Sequence, residues 1–371
     1  MENQLVQNQA LQMLLDTLQK EKEEFENAKV KIGVTGLSGA GKSTLINSLM
    51  GEEVAETGYV ETTMEKKGYQ YKNIELWDMP GMGTDTFPRE TYVEKMNLKE
   101  LDAFIIVTRD RIYTDDTYLY NEIRKMNIPC FVVRTHMDNV IKSLKTPEKV
   151  EEVIKVIEKD FKKKLPNLDR VYLVSNEPLF LDLPILERDI ANSLDSIKRQ
   201  RFLADAATLS KEILEAKIAI AQKIVRWHSV GAAANGFNII PGTDIALDVA
   251  ILSNMVNEIN NIFGLTEKDL NELEMKYPTI KKLDTYQFHK QAIKQMLAKY
   301  AAKEGIMQIL KQSAKTLAVK EVGKYILFVG PFLAAGVNAK LCASFGEEYY
   351  IQAKENAELI FNDLSKSMIE E

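Results

Sequence analysis

Residues 36–43 read G-L-S-G-A-G-K-S, which places Gly36, Gly41, Lys42 and Ser43 at the defining positions of a phosphate-binding loop. Glycines let such a loop turn tightly and aim a row of backbone N–H groups at phosphate oxygens. The helix that follows presents its positive end to the same charge. Ser38, Gly39 and Thr44 extend that contact set on either side. Lys42 would reach the β- and γ-phosphates, and the Ser43 hydroxyl would sit on Mg²⁺. Two further groups fall where this chemistry needs them. Asp78 and Gly81 form D-x-x-G, with Asp78 holding Mg²⁺ through water and the Gly81 N–H sensing the γ-phosphate; Thr63, in a polar loop between the two motifs, offers a second hydroxyl to the metal. Thr135-His136-Met137-Asp138 stands in the place of the guanine-reading (N/T)-K-x-D. A carboxylate at Asp138 can accept from guanine N1–H and the N2 amino group together, which adenine cannot offer. His136 replaces the usual lysine, and a mostly neutral imidazole could lie over the base instead of the lysine stem. Ser175 and Asn176 end a strand where donors to guanine O6 belong. The ligands expected are therefore GTP or GDP with Mg²⁺, and an ATPase is disfavoured by Asp138.

The elements that must position these groups are legible in the periodicity. Val30, Ile32 and Val34 alternate ahead of the loop, and residues 44–50 carry apolar positions at helical spacing behind it. From 29 to about 194 strand and helix patterns alternate, with strands near 30–35, 69–77, 103–108, 130–134 and 171–175. This predicts an α/β domain of Ras-like type: a mostly parallel sheet with helices on both faces. After residue 196 strand signals cease and long helical stretches follow, broken at Pro241-Gly242, Gly264, Pro278 and Gly330-Pro331. The expected division is 1–28 as an N-terminal helix packing with the helical domain, 29–198 as the nucleotide-binding domain, and 199–371 as an all-α domain. In the first segment Leu11, Leu14, Leu15, Leu18 and Phe25 mark one apolar helix face.

Composition excludes several classes. At 371 residues, 45% hydrophobic and 27% charged, the chain is expected to be globular and soluble, and a net charge of −6 leaves no basic footprint for nucleic acid. Cys130 and Cys342 suggest two buried thiols in a reducing cytosol, and His136, His228 and His289 are too scattered for a metal cluster. Met1-Glu-Asn-Gln shows neither a signal peptide nor a myristoylation glycine. The apolar stretches at 230–240 and 325–339 are shorter than a spanning helix and read as buried bundle helices. Lys155, Lys159, Lys162, Lys163 and Lys164, interleaved with Glu151, Glu152 and Glu158, read as a solvated charged face rather than a lipid patch.

The motifs GLSGAGKS, TGYVETTMEK, WDMPGMGT with FPRETYVEKM after it, FVVRTHMD, and VYLVSN with DLPIL after it resemble those of the immunity-related GTPases, the interferon-inducible large GTPases of the GKS type. The resemblance runs from about 29 through 200; the helical remainder fits in layout only. It implies a dynamin-like GTPase, a phosphoric anhydride hydrolase, in which GTP-bound molecules pair as homodimers or oligomers through their nucleotide domains. Thr57 and Glu61 would lie at that contact, with Glu61, Thr63 and Lys42 completing catalysis. It also implies a cytoplasmic protein that can act peripherally at intracellular membranes. Met82 occupies the position where many small GTPases carry a water-orienting glutamine, so an isolated molecule should turn over slowly. A nucleotide-binding scaffold with little or no hydrolysis is the competing expectation.

Overall fold

In the computed structural model the described residues are 2–55, 67–83, 87–144, 146–175, 181–235, 244–301, 304–306, 308–309 and 337–370. Contacts divide the chain into Ala28–Ile213 and a second unit made of Met1–Asn27 with Leu214–Glu370.

The first unit is built on a six-stranded sheet of order β2-β3-β1-β4-β5-β6. Its strands are β1 (Val30–Thr35), β2 (Lys67–Tyr71), β3 (Ile74–Met79), β4 (Ala103–Thr108), β5 (Cys130–Arg134) and β6 (Val171–Leu173). All neighbours run parallel except β2, which pairs antiparallel with β3 at the edge. β4 is buried along its whole length, as expected for a central strand covered on both faces. The register aligns Thr35 with Met79 and Ile106, and Thr108 with Arg134, so the carboxyl ends of β1, β3, β4 and β5 finish together. In open α/β sheets that edge is where ligands bind.

One strand read from the sequence over 69–77 is a hairpin instead. Lys72 turns the chain with φ +50° between β2 and β3, and no glycine or proline in Tyr71-Lys72-Asn73-Ile74 advertises the reversal. The boundary expected near 198 also lies further on. Helix α8 (Ser196–Asp205) is held to the sheet: Lys198 Nζ donates to Asp102 at 2.6 Å, the Asn73 N–H donates to Asp205 at 3.1 Å, and the Ala207 N–H donates to the Leu49 carbonyl at 3.1 Å. Asp205, 2% exposed, also takes two bonds from Arg201. Residues 199–213 therefore belong with the nucleotide unit.

The helices flanking the sheet are α2 (Lys42–Met50), α3 (Arg89–Lys95), α4 (Thr114–Lys125), α5 (Met137–Lys142), α6 (Pro147–Lys164) and α7 (Leu183–Ser193). On α6 Ile157 and Phe161 are buried, while Lys155, Lys159, Lys162 and Lys163 are exposed. Its basic residues thus form a solvent-facing charged side. Cys130 and Cys342 are both buried.

The second unit is helical: α1 (Glu2–Asn27), α9 (Lys211–Asn235), α10 (Asp244–Phe263), α11 (Glu267–Lys276), α12 (Asp284–Ala301) and α13 (Val337–Glu370). Phe25 of α1 packs on Trp227 of α9 with ring centroids 5.0 Å apart, and Glu21 accepts from Lys223 Nζ at 2.6 Å. Leu15 is buried with Phe25, whereas Leu14 is 36% exposed, so the buried face of α1 is narrower than the leucine pattern suggests. Gly346 marks the closest approach of three helices, since a Cβ there would lie 2.8 Å from both Met255 Sδ and Val225 Cγ1. His228 pairs with Glu258 at 3.1 Å and His289 with Asp363 at 2.6 Å, binding α9 to α10 and α12 to α13. Two of the three histidines thus have carboxylate partners inside the bundle. Among the described residues no group of three or more ligating side chains could hold a metal, and no helix is long and apolar enough to cross a membrane. The breaks at Pro241-Gly242 and Gly330-Pro331, and parts of both apolar stretches, lie outside the described residues.

Candidate functional site

The loop between β1 and α2 depends on glycine. Gly36 has φ +151°, and a Cβ on it would stand 2.1 Å from the Val107 carbonyl oxygen, so β4 leaves room only for hydrogen. Gly41 takes φ +86° as α2 begins. Ser38 and Gly39 are exposed at the tip, while Ser43 and Thr44 are partly buried in the first turn of α2. Lys42 lies back along this loop: Nζ donates to the Gly36 carbonyl at 3.1 Å and the Leu37 carbonyl at 3.4 Å, and stands 4.0 Å from Asp78 Oδ1. Both side chains are at most 10% exposed. Burial lowers the lysine pKa and the Asp78 carboxylate opposes that shift. A cation is thus held at the helix N-terminus with its partners in place.

Asp78 is the penultimate residue of β3, 5% exposed and opposite Val34. Beyond it, Gly81 lies against the loop, its notional Cβ 3.8 Å from Leu37 Cδ2 and 4.0 Å from the Gly36 oxygen. The peptide before Gly81 is anchored from two sides: Tyr92 donates its hydroxyl to the Pro80 carbonyl at 2.6 Å, and Thr35 donates to it at 3.2 Å. Burial pushes the Tyr92 phenol well above its usual range, so it stays a donor at any working pH. Arg89 adds an ion pair with Asp115 at 2.5 Å. Sequence reasoning assigned no role to Thr35, Tyr92, Arg89 or Asp115. Tyr92 and Arg89 sit in the FPRETYVEKM segment, but only the fold brings them to Pro80 and Asp115. Met82 is 7% exposed and packs into the hydrophobic core with Met79 and Tyr92.

The third edge of the site is the turn after β5. Thr135 donates its hydroxyl to the Ala40 carbonyl at 2.6 Å, tying this turn to the phosphate loop. His136 has φ +57°, and its Cε1 and Thr135 Oγ1 both lie 3.4 Å from where a Gly41 Cβ would stand. Burial, with Arg109 nearby, lowers the His136 pKa, while Asp138 and Asp110 oppose the shift. Asp138 stands in the first turn of α5. The Val174 N–H donates to the Arg134 carbonyl at 2.8 Å and the Val174 carbonyl accepts from the Met137 N–H at 3.3 Å, so the segment ending at buried Ser175 is stapled beside the turn. The structure therefore brings Gly36, Gly41, Lys42, Asp78, Gly81, Thr135 and His136 together around one loop, with Asp138 and Ser175 on adjoining backbone. Thr57, Glu61, Thr63 and Asn176 lie outside the described residues.

The donor set suits the groups it would hold. Ser43 and Asp78 offer a hydroxyl and a carboxylate, the hard oxygens that Mg²⁺ takes. The glycine cradle has no side chain where phosphate oxygens would approach.

A mostly parallel sheet carrying this loop, an aspartate behind it and a T-x-x-D turn beside it defines a P-loop GTPase domain, here joined to a helical unit. The chain belongs to the interferon-inducible GTPase family, whose model, Interferon-inducible GTPase (IIGP), matches residues 2–331. It is thereby a GTP-binding hydrolase. Interferon-gamma-inducible GTPase 10 of Mus musculus is 27% identical over 365 residues, which cover 94% of this chain and 83% of that one. T-cell-specific guanine nucleotide triphosphate-binding protein 2 of Mus musculus is 32% identical over 291 residues, 72% of this chain and 68% of that one. Among solved structures, a probable GTP-binding protein engB aligns with 44% of this chain and 98% of its own, at 23% identity and a TM-score of 0.32.

Proposed function

We infer that this GTPase hydrolyses GTP slowly as an isolated molecule and faster once it self-assembles through its nucleotide unit. The observation that carries the reading is a pairing: Lys42 waits 4.0 Å from Asp78 over the loop carbonyls, yet residue 82, beside the phosphate-sensing Gly81, is an apolar side chain turned into the core. The phosphate-binding parts are assembled. A residue able to orient the attacking water is missing from position 82.

In this reading the backbone of Gly36, Ser38, Gly39 and Gly41 holds the phosphates, with Thr44 closing the first turn of the helix, and Lys42 moves from the loop carbonyls onto the β- and γ-phosphate oxygens. Ser43, Asp78 through water and Thr63 would hold Mg²⁺, which would supply positive charge against that of the phosphates. Asp138 accepts from the guanine edge, Ser175 and Asn176 face O6, and His136 covers the base. Water attacks the γ-phosphorus in line, releasing phosphate and leaving GDP. Glu61, with the nucleotide of a second molecule, completes the site when two nucleotide units pair. The helical unit converts nucleotide state into oligomeric state, in a cytoplasmic protein acting peripherally at intracellular membranes.

The test is phosphate release per molecule from Mg·GTP over a wide range of protein concentration, with Mg·ATP in parallel. The expected outcome is a GTP-selective rate that climbs with concentration. Tight GTP binding with a rate near zero at every concentration would replace this reading with a nucleotide-dependent scaffold, which the burial of Met82 also favours.

A further inference from the structure

The departure from the guanine-reading motif, His136, takes part in a chain of contacts that reaches the phosphate loop. Thr135 Oγ1 lies 2.6 Å from the Ala40 carbonyl oxygen, 2.9 Å from His136 Nδ1 and 3.3 Å from the Thr108 carbonyl oxygen. A threonine hydroxyl has one proton. Ala40 offers only an acceptor, and at the shortest of the three distances it takes that proton. Toward His136, Oγ1 can then only accept, so Nδ1 must carry a hydrogen. The groups facing the ring agree with a neutral imidazole at physiological pH: burial and Arg109, from the loop after β4, hold its pKa below the ordinary value, against the opposing Asp110 of the same loop and Asp138 of α5. A neutral imidazole has one N–H. Here it is on Nδ1, which leaves Nε2 as an acceptor, and the hydrogen bond made by the first nitrogen fixes the state of the second.

We propose that His136 is a positioning residue for the phosphate loop: its Nδ1–H donates to Thr135 Oγ1, commits the threonine proton to the Ala40 carbonyl, and so fixes the peptide that leads into Gly41 and Lys42. The residue where the motif reads the base thereby acts on phosphate binding. The packing of the ring edge 3.4 Å from the notional Cβ of Gly41 places the imidazole directly beside the loop segment it holds. This role rests on the reading that residues 36–43 bind phosphates, and it makes a prediction that covering the base does not. Phenylalanine at 136 keeps a flat ring for the base and removes the donor. A ring that only stacks survives this change, and a relay does not.

Two measurements test it. In ligand-free protein labelled with ¹⁵N-histidine, long-range ¹H–¹⁵N spectra at about pH 7.5, above the ordinary histidine pKa, should show His136 protonated on Nδ1, in contrast to the Nε2–H form that dominates free histidine. The resonance is identified by its loss in His136→Phe or, should that variant not fold, by its shift when GDP is added. An Nε2–H tautomer would overturn the proposal whether or not nucleotide binds. GDP affinity is then compared across His136→Phe, Thr135→Val and the double variant. His136→Phe should weaken GDP by ~3- to 10-fold, the worth of one neutral hydrogen bond, and should add nothing in the Thr135→Val background. The preference for GDP over ADP should hold in all of them. Unchanged or tighter GDP binding in a folded His136→Phe protein would refute the relay and leave stacking as the role of the ring. Failure of the unaltered protein to bind any guanine nucleotide would instead sink the functional reading, with the tautomer still deciding the relay.

Discussion

Met82 separates two accounts of the slow turnover proposed for the isolated molecule. A methionine beside Gly81 could be a mere substitute for glutamine at an open position, in which case restoring glutamine would restore water activation. Its 7% exposure and its place in the core with Met79 and Tyr92 say otherwise. An amide there would be drawn out of water among apolar neighbours without a hydrogen-bond partner, at a cost of ~1–3 kcal/mol on the protein mutational scale. Met82→Gln should therefore lower the thermal midpoint and leave phosphate release at low protein concentration no faster. A faster rate with unchanged stability would show that residue 82 faces the nucleotide. The motif residues were readable one by one because a phosphate loop asks for particular types at fixed spacing, glycine at 36 and 41, lysine at 42 and an aspartate at 78, and the structure adds a steric reason for Gly36 in the Val107 carbonyl 2.1 Å from where its Cβ would stand. The burial of Met82 was not readable, because a methionine in a loop carries no periodicity to say which way it turns.

At the scale of elements, the switch region following β3 is held by the neighbours of the motif rather than by the motif itself. Tyr92 of α3 and Thr35 at the end of β1 converge on one carbonyl, that of Pro80, immediately ahead of the glycine that would sense the γ-phosphate. Removing the phenol in Tyr92→Phe should cost about 1 kcal/mol in urea unfolding, as for one buried hydrogen bond. With the Gly81 peptide sensing the γ-phosphate as proposed, it should also weaken GTP more than GDP; equal weakening of both would reduce the contact to packing. The misread elements have a common physical origin. The β2–β3 hairpin turns at Lys72 with positive φ but without glycine, and α8 is kept with the sheet by bonds between distant residues, Lys198 to Asp102 and buried Asp205 to the N–H of a residue 132 positions earlier. Periodicity and turn composition are local signals. Pairing across the chain is not, so the continuous strand 69–77 and the early boundary near 198 were the natural local readings.

Taken whole, the molecule carries two cores with one tryptophan in each, Trp77 on β3 and Trp227 on α9. Ligand that binds only the folded state stabilises it by mass action, ~2.7 kcal/mol at a hundred times the dissociation constant. Followed by fluorescence in Trp227→Phe, where Trp77 reports alone, the unfolding free energy of the nucleotide unit should rise by about that amount at a hundredfold excess of GDP over its dissociation constant. Followed in Trp77→Phe, a shift of equal size would show that the helical unit melts in the same cooperative step, and a smaller one that it melts by itself. The helical unit was legible as a class from the loss of strand signals after residue 196. Its internal ties, such as His289 to Asp363 and Trp227 to Phe25, were not, because each joins residues far apart in the chain. The union of residues 1–27 with the bundle from 214 onward has a further consequence for how the chain is made. Phe25 leaves the ribosome some 200 residues before Trp227, a lag of roughly 10–40 s at ordinary elongation rates. During that interval the intervening sheet can complete itself, while α1 has an apolar face and no bundle to receive it, although most helical stability in proteins comes from packing such a face. The newborn chain then holds a finished nucleotide domain beside an unburied apolar helix face, and the emergence of α9 with Trp227 gives Phe25 its partner.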